Sequence, residues 1–147
     1  MGQADNNLGQ VVGYVLKQAA PALRSAMDGV LRPLELTVPQ YACMELLDGR
    51  PGLSNAELAR GAFVTRQSMN GVLRGLQERE LLTRPSTAPH GRALPTQLTH
   101  SGQPRLIAAR AAVDRVERQM LAHLSASEQR RLRDTLTKCV EALSTTT

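Results

Sequence analysis

The sequence predicts a mainly α fold with a small β wing, and three observations predict it. Aliphatic residues recur at helical spacing over most of the chain. Three boxes of the form Ser/Thr-x-x-Glu/Gln, at Thr37, Ser54 and Ser125, mark helix starts. The stretch with strand character, Leu81–Arg84 and Leu94–Thr99, brackets a loop rich in Pro, Ser, Thr, Gly and Ala. Composition agrees. Of 147 residues 41% are hydrophobic but only 2% aromatic, with no Trp, so the core must be aliphatic.

Residues Met1 to Asn6 are polar and carry no periodicity. From Leu8 to Leu31, the residues Leu8, Val12, Val15, Ala19, Leu23, Met27 and Val30 predict one long amphipathic helix. Pro21 should kink it or split off a short preceding helix, and Pro33 ends it. Thr37-Val38-Pro39-Gln40 opens a second helix, with proline in the first turn where its missing N–H does least harm. Tyr41, Met44, Leu46 and Leu47 lie along it, Asp48-Gly49 closes it, and Arg50-Pro51-Gly52 makes a turn.

Ser54 and Glu57 then box a short helix with Leu58 and Ala59 inward and Phe63 just past its end; Gly61 can take the positive φ of a tight exit. Thr65 caps the next helix, where Met69, Val72, Leu73 and Leu76 form one apolar stripe. Two short helices at a steep angle, followed by two strands, make a winged helix-turn-helix. Beyond the wing, Ser101-Gly102-Gln103-Pro104 starts another helix, with Ser101 rather than Thr99 as its cap. Leu106, Ala109, Val113, Val116, Met120 and Leu124 run along it in a near-heptad stripe. Ser125 and Glu128 open a last helix with Leu132, Leu136, Val140 and Leu143 inward.

The chain therefore divides into an N-terminal helix (1–36), a winged helix-turn-helix (37–100) and C-terminal helices (101–147), intertwined as one structural unit. The first and last two helices carry apolar stripes that a small winged domain cannot cover alone. They are expected to pair with a second copy as a two-fold dimerisation domain.

Function is read from the face that the helix after Thr65 leaves outside the core. It carries Arg66, Gln67, Ser68, Asn70 and Arg74, while the acids Glu78 and Glu80 wait until the far end. Arginine can fork onto guanine, and glutamine or asparagine onto adenine. With Thr65, Arg84, His90 and Arg92, these residues form the expected DNA-binding set, Arg92 being placed to enter a minor groove. A formal charge of +5 and a sequence pI of about 10.0 are compatible with a polyanionic partner. A two-fold protein presenting two such helices implies a pseudo-palindromic double-stranded operator, with half-sites ~34–36 Å apart.

Other chemistries find little support. There is no Ser/His/Asp constellation, phosphate-cradling glycine loop or paired carboxylate in an apolar setting, so neither catalysis nor a cofactor is expected. His90, His100 and His123 lack metal-ligand spacing. Cys43 and Cys139 stand far apart and fit a reduced, cytoplasmic setting. No signal peptide and no run of ~20 apolar residues is visible, so no membrane partner is expected. Two alternatives remain open: a winged domain serving as a protein-interaction adaptor, and thiol-based redox sensing through Cys43.

The order and spacing of several pieces resemble the MarR family of bacterial transcriptional regulators over nearly the whole chain. The pieces are Leu36-Thr37-x-x-Gln40-Tyr41, Leu58-Ala59 with the helix from Thr65, and Glu78-Arg79-Glu80-Leu81-Leu82 leading into the wing. Gly91-Arg92 at its tip and Leu98-Thr99-x-x-Gly102 leaving it complete the match. His90 stands near where the family usually carries an acidic residue. The resemblance implies a homodimeric repressor, less often an activator, that many members release from DNA on binding a small aromatic or anionic effector. It also implies a ligand site where the long helices meet the winged domain, lined by Val15, Tyr41, Met44 and Met69.

Overall fold

The structure, a computed structural model, describes residues 7–84 and 95–144. Its helices are α1 (Val12–Leu31), α2 (Val38–Gly49), α3 (Asn55–Ala62), α4 (Arg66–Glu78), α5 (Gly102–Met120) and α6 (Ala126–Ser144). A 3-10 turn, Arg32–Leu34, joins α1 to α2; strands β1 (Leu82–Thr83) and β2 (Gln97–Leu98) form an antiparallel pair, Leu82 opposite Leu98 and Thr83 opposite Gln97. The fold is mainly helical with a small wing.

The capping boxes do what their spacing demands. Gln40 N–H donates to the Thr37 hydroxyl at 3.2 Å and Thr37 N–H to Gln40 Oε1 at 3.0 Å. Ser54 with Glu57, and Ser125 with Glu128, repeat the exchange. Each box satisfies two backbone donors that a helix start leaves open.

One apolar core joins the winged domain to α5. It contains Leu31, Met44, Leu47, Leu58, Met69, Leu76, Leu82 and Leu106, all essentially inaccessible to solvent. α2 packs against α3, α4 and α5, while α1 packs mainly along α5. Gly102 is obligatory at the wing's exit, because a Cβ there would stand 2.2 Å from the Leu81 carbonyl oxygen.

Several expectations need correction. Asn7 and Leu8 belong to a separate helical turn, and α1 begins at Val12 and runs through Pro21. Leu31 is its only buried residue. The exit from α3 is made by Phe63, at φ 60°, not by Gly61. Gly61 is small for a different reason: a Cβ there would meet Leu46 Cδ1 at 2.8 Å. At the start of α5 the Ser101 side chain makes no capping bond, and the Thr99 hydroxyl accepts from Gly102 N–H at 3.0 Å instead. Thr99 wins because its hydroxyl also donates to the Glu80 carbonyl at 2.6 Å, stitching wing to helix. Leu132, Leu136, Val140 and Leu143 do not point into this chain's core: α6 buries none of its residues. Among the described residues, no element packs over that face closely enough to bury it.

Candidate nucleic-acid interface

The face of α4 is set by what its other side buries. Met69, Leu73 and Leu76 are sealed in the core, which fixes the helix's rotation. At 100° per residue this turns Arg66, Gln67, Asn70 and Arg74 outward as one fan, and all four are exposed. Arg66, Gln67 and Arg74 make no side-chain hydrogen bond or ion pair among the described residues, so their donors are available to a partner. Thr65 and Ser68 are partly committed. Ser68 N–H donates to the Thr65 hydroxyl at 3.0 Å, and that hydroxyl donates to Ser68 Oγ at 3.0 Å.

Asn70 is tied from a direction that sequence reasoning missed. Asn55 Nδ2, on the first turn of α3, donates to Asn70 Oδ1. This bond ties the end of the Asn70 side chain to α3. No sequence signal links two asparagines 15 residues apart.

Behind α4 lies a cleft of about 630 Å³ between α3, α4 and the wing base, with Asn55, Gln77, Arg84 and Thr96 among its lining residues. Arg84 is half-buried there, following β1. Gly52 N–H donates to the Thr96 carbonyl at 2.9 Å, holding the turn before α3 to the second strand. Arg60 is exposed at the end of α3 and lines a different cleft, with Leu46, Arg50 and Glu57. His90 and Arg92 lie outside the described residues.

Of the four expected ligand-site residues, three belong to the core cluster and the fourth stands on α1. Met44 and Met69 are fully buried core, and the nearly buried Tyr41 donates its hydroxyl to Glu45 Oε2 at 2.7 Å. Val15 sits on the exposed N-terminal half of α1, apart from that cluster. The stripe that carries Val15 belongs to a helix whose contacts run along α5. A separate apolar groove of about 300 Å³ lies between α1 and α5, lined by Ala19, Leu23, Val116 and Met120 among others.

Sequence reasoning also missed a charged junction between α2 and α5. Arg110 grips Glu45 through Nη2 at 2.5 Å and Nε at 3.2 Å, and Nη2 reaches Asp48 Oδ2 at 3.0 Å. The Arg110 bonds hold the Glu45 carboxyl below the usual carboxylate range. Burial, aided by the Glu45 carboxylate, pushes the Tyr41 hydroxyl well above its ordinary range. Arg110 is 65 residues from Glu45, and only packing brings them together.

Cys43 is fully buried, and desolvation pushes its thiol up to about 12. A redox-sensing cysteine needs the reverse, an accessible and acidified thiolate. Among the described residues no three His, Cys, Asp or Glu side chains cluster as a metal site. No described helix is long and apolar enough to cross a membrane.

Comparison with known proteins adds the following. A MarR family model matches residues 34–93. The HTH-type transcriptional repressor Rv2887 of Mycobacterium tuberculosis is 41% identical over 138 residues, covering 94% of this chain and 97% of that protein. The crystal structure of the same MarR family protein with salicylic acid superposes at a TM-score of 0.76 and 40% identity, covering 88% of this chain and 96% of the other. Its complex with DNA superposes at 0.73 and 39% identity, covering 88% and 97%.

Proposed function

Since this chain belongs to the MarR family, we propose that it is a homodimeric repressor that reads double-stranded DNA through α4 and is released by a small aromatic acid. The observation that carries the reading is the α4 fan. Three long donor side chains without a partner among the described residues project from a helix whose opposite side is locked in the core. Arginine contacts to phosphates supply salt-dependent affinity, and Arg66, Gln67, Asn70 and Arg74 supply base contacts. Arg84 holds backbone phosphate beside the wing, with His90 and Arg92 extending the contact into the minor groove.

Dimerisation is supported by apolar surface left open on the terminal helices. Val12, Val15, Ile107, Val140 and Leu143 are 67%, 46%, 61%, 63% and 80% exposed in the single chain. Such a set is costly to leave in water, and a second copy would cover it. The pairing sets the distance between the two reading helices and hence a pseudo-palindromic site. An effector acts by binding more tightly to a dimer whose helices no longer match that spacing. The salicylic acid complex of the mycobacterial relative supports an aromatic carboxylate as its class.

The test is fluorescence anisotropy on a duplex that the chain selects from a random pool, with sedimentation to give the oligomeric state. A salt-sensitive, sequence-selective dimer that Arg74→Ala weakens and salicylate releases is the expected result. Absence of any selected sequence would favour the adaptor reading.

A further inference from the structure

We propose that Phe63 is an apolar DNA contact, its ring laid against the deoxyribose edge beside the groove that α4 enters. This rests on the DNA-binding reading above. Among the described residues, three non-glycine residues hold left-handed backbone: Glu35, Phe63 and Glu80, at φ 58°, 60° and 60°. All three close a helix in the same way, the next residue's N–H bonding back five positions: Leu36 to Leu31, Val64 to Ala59 and Leu81 to Leu76. Glycine is the usual occupant of that position.

Two of the three are anchored by tertiary hydrogen bonds. Arg79 Nη1 donates to the Glu35 carbonyl and the Thr99 hydroxyl to the Glu80 carbonyl, each at 2.6 Å. Phe63 has no such anchor among the described residues, and its side chain is 93% exposed. A left-handed phenylalanine is disfavoured against glycine, and an exposed ring gains nothing from the core. Neither property helps this chain to fold.

Both make sense if the ring is offered outward to a partner, and the neighbourhood specifies which. Exposed Arg60 lies three residues before it on α3 and exposed Arg66 three after it, opening α4. An apolar ring three residues from the exposed guanidinium that opens α4 matches a nucleic-acid strand, where a deoxyribose lies between successive phosphates. The turn also leads directly into the reading helix, which places the ring beside the groove that α4 enters.

The experiment uses a duplex of about 30 base pairs, long enough for two half-sites, selected from a random pool by the wild-type chain. Affinity and its salt dependence are measured for wild type, Phe63→Gly, Phe63→Leu and Arg74→Ala. Phe63→Gly is expected to weaken binding about ten-fold, the effect of uncovering roughly half a phenyl ring. The slope of log affinity against log salt should stay unchanged, because no phosphate contact is lost. Tm should rise by about 2–4 °C as glycine relieves the backbone, and Phe63→Leu should recover most of the affinity. Wild-type affinity in Phe63→Gly, with Arg74→Ala weakened, overturns the inference alone and leaves the ring to a protein partner. A shallower salt slope in Phe63→Gly also overturns it, since the ring would then act by steering the arginines. If Arg74→Ala also binds as wild type does, or if the wild type selects no duplex, the DNA-binding reading itself fails.

Discussion

Replacing Arg110 by methionine removes the charge that joins α2 to α5 while keeping most of the stem's packing. The guanidinium makes a two-point contact with Glu45 and a third bond to Asp48, with the three side chains 40%, 32% and 34% exposed. An ion pair at this exposure is worth less than a buried one, so about 1 kcal/mol for the forked Glu45 pair and less for Asp48 is appropriate. Once the cation is gone, Glu45 and Asp48 also face each other as like charges three residues apart, which adds a few tenths. The expected loss is about 2 kcal/mol, or about 4–8 °C in Tm for a chain of this size. Urea denaturation at one fixed protein concentration measures it, since any association with a second copy would add to the apparent stability.

The pH dependence supplies a second, independent check. The folded chain holds the Glu45 carboxyl below its usual range, chiefly through the Arg110 bonds. The unfolded chain therefore binds the more protons over the acid window. This stabilisation is complete above the unfolded carboxylate's pKa of ~4.3 and is lost as pH falls through the lower folded value. The gap between wild type and Arg110→Met should be full at neutral pH and should narrow in acid below about pH 4. A gap that keeps its size well below that point, or one under about 0.5 kcal/mol at neutral pH, would refute this account of the junction.

Three further outcomes are expected. Arg74→Ala and Arg92→Ala should each weaken binding to a selected duplex and make the salt slope shallower by about one contact, with the thermal melt unchanged. Gly102→Ala forces a Cβ against the Leu81 carbonyl, where Thr99 N–H also bonds; urea midpoints should report a loss of about 2–3 kcal/mol as the wing base shifts. Iodoacetamide labelling of the native chain followed by peptide mapping should modify exposed Cys139 and spare Cys43, whose thiol is buried and held protonated; rapid labelling of Cys43 would reopen redox sensing.

Much of the architecture was legible in local patterns. The three capping boxes are closed between residues three apart, so the groups that start α2, α3 and α6 lie within one turn of sequence. The α4 stripe likewise identifies both its buried side and, by subtraction, the exposed side bearing Arg66, Gln67, Asn70 and Arg74. These readings succeed because helix periodicity alone relates those residues.

Tertiary packing decided the rest. Gly61 looked like the residue that turns the chain, yet Leu46 of another helix claims its missing Cβ and Phe63 takes the left-handed turn. Ser101 had the right spacing for a cap, but Thr99 also reaches a carbonyl 19 residues earlier and so holds the position. Arg110 meets Glu45 and Asp48, and Asn55 meets Asn70, only after α2, α3, α4 and α5 are stacked. The sequence determined which residues start helices and which side of each helix is apolar, since hydrogen bonds and spacing act there over a few residues. Which polar side chains are left free for a partner depended on contacts across 15 to 71 residues, and those exist only once the core has brought the helices together.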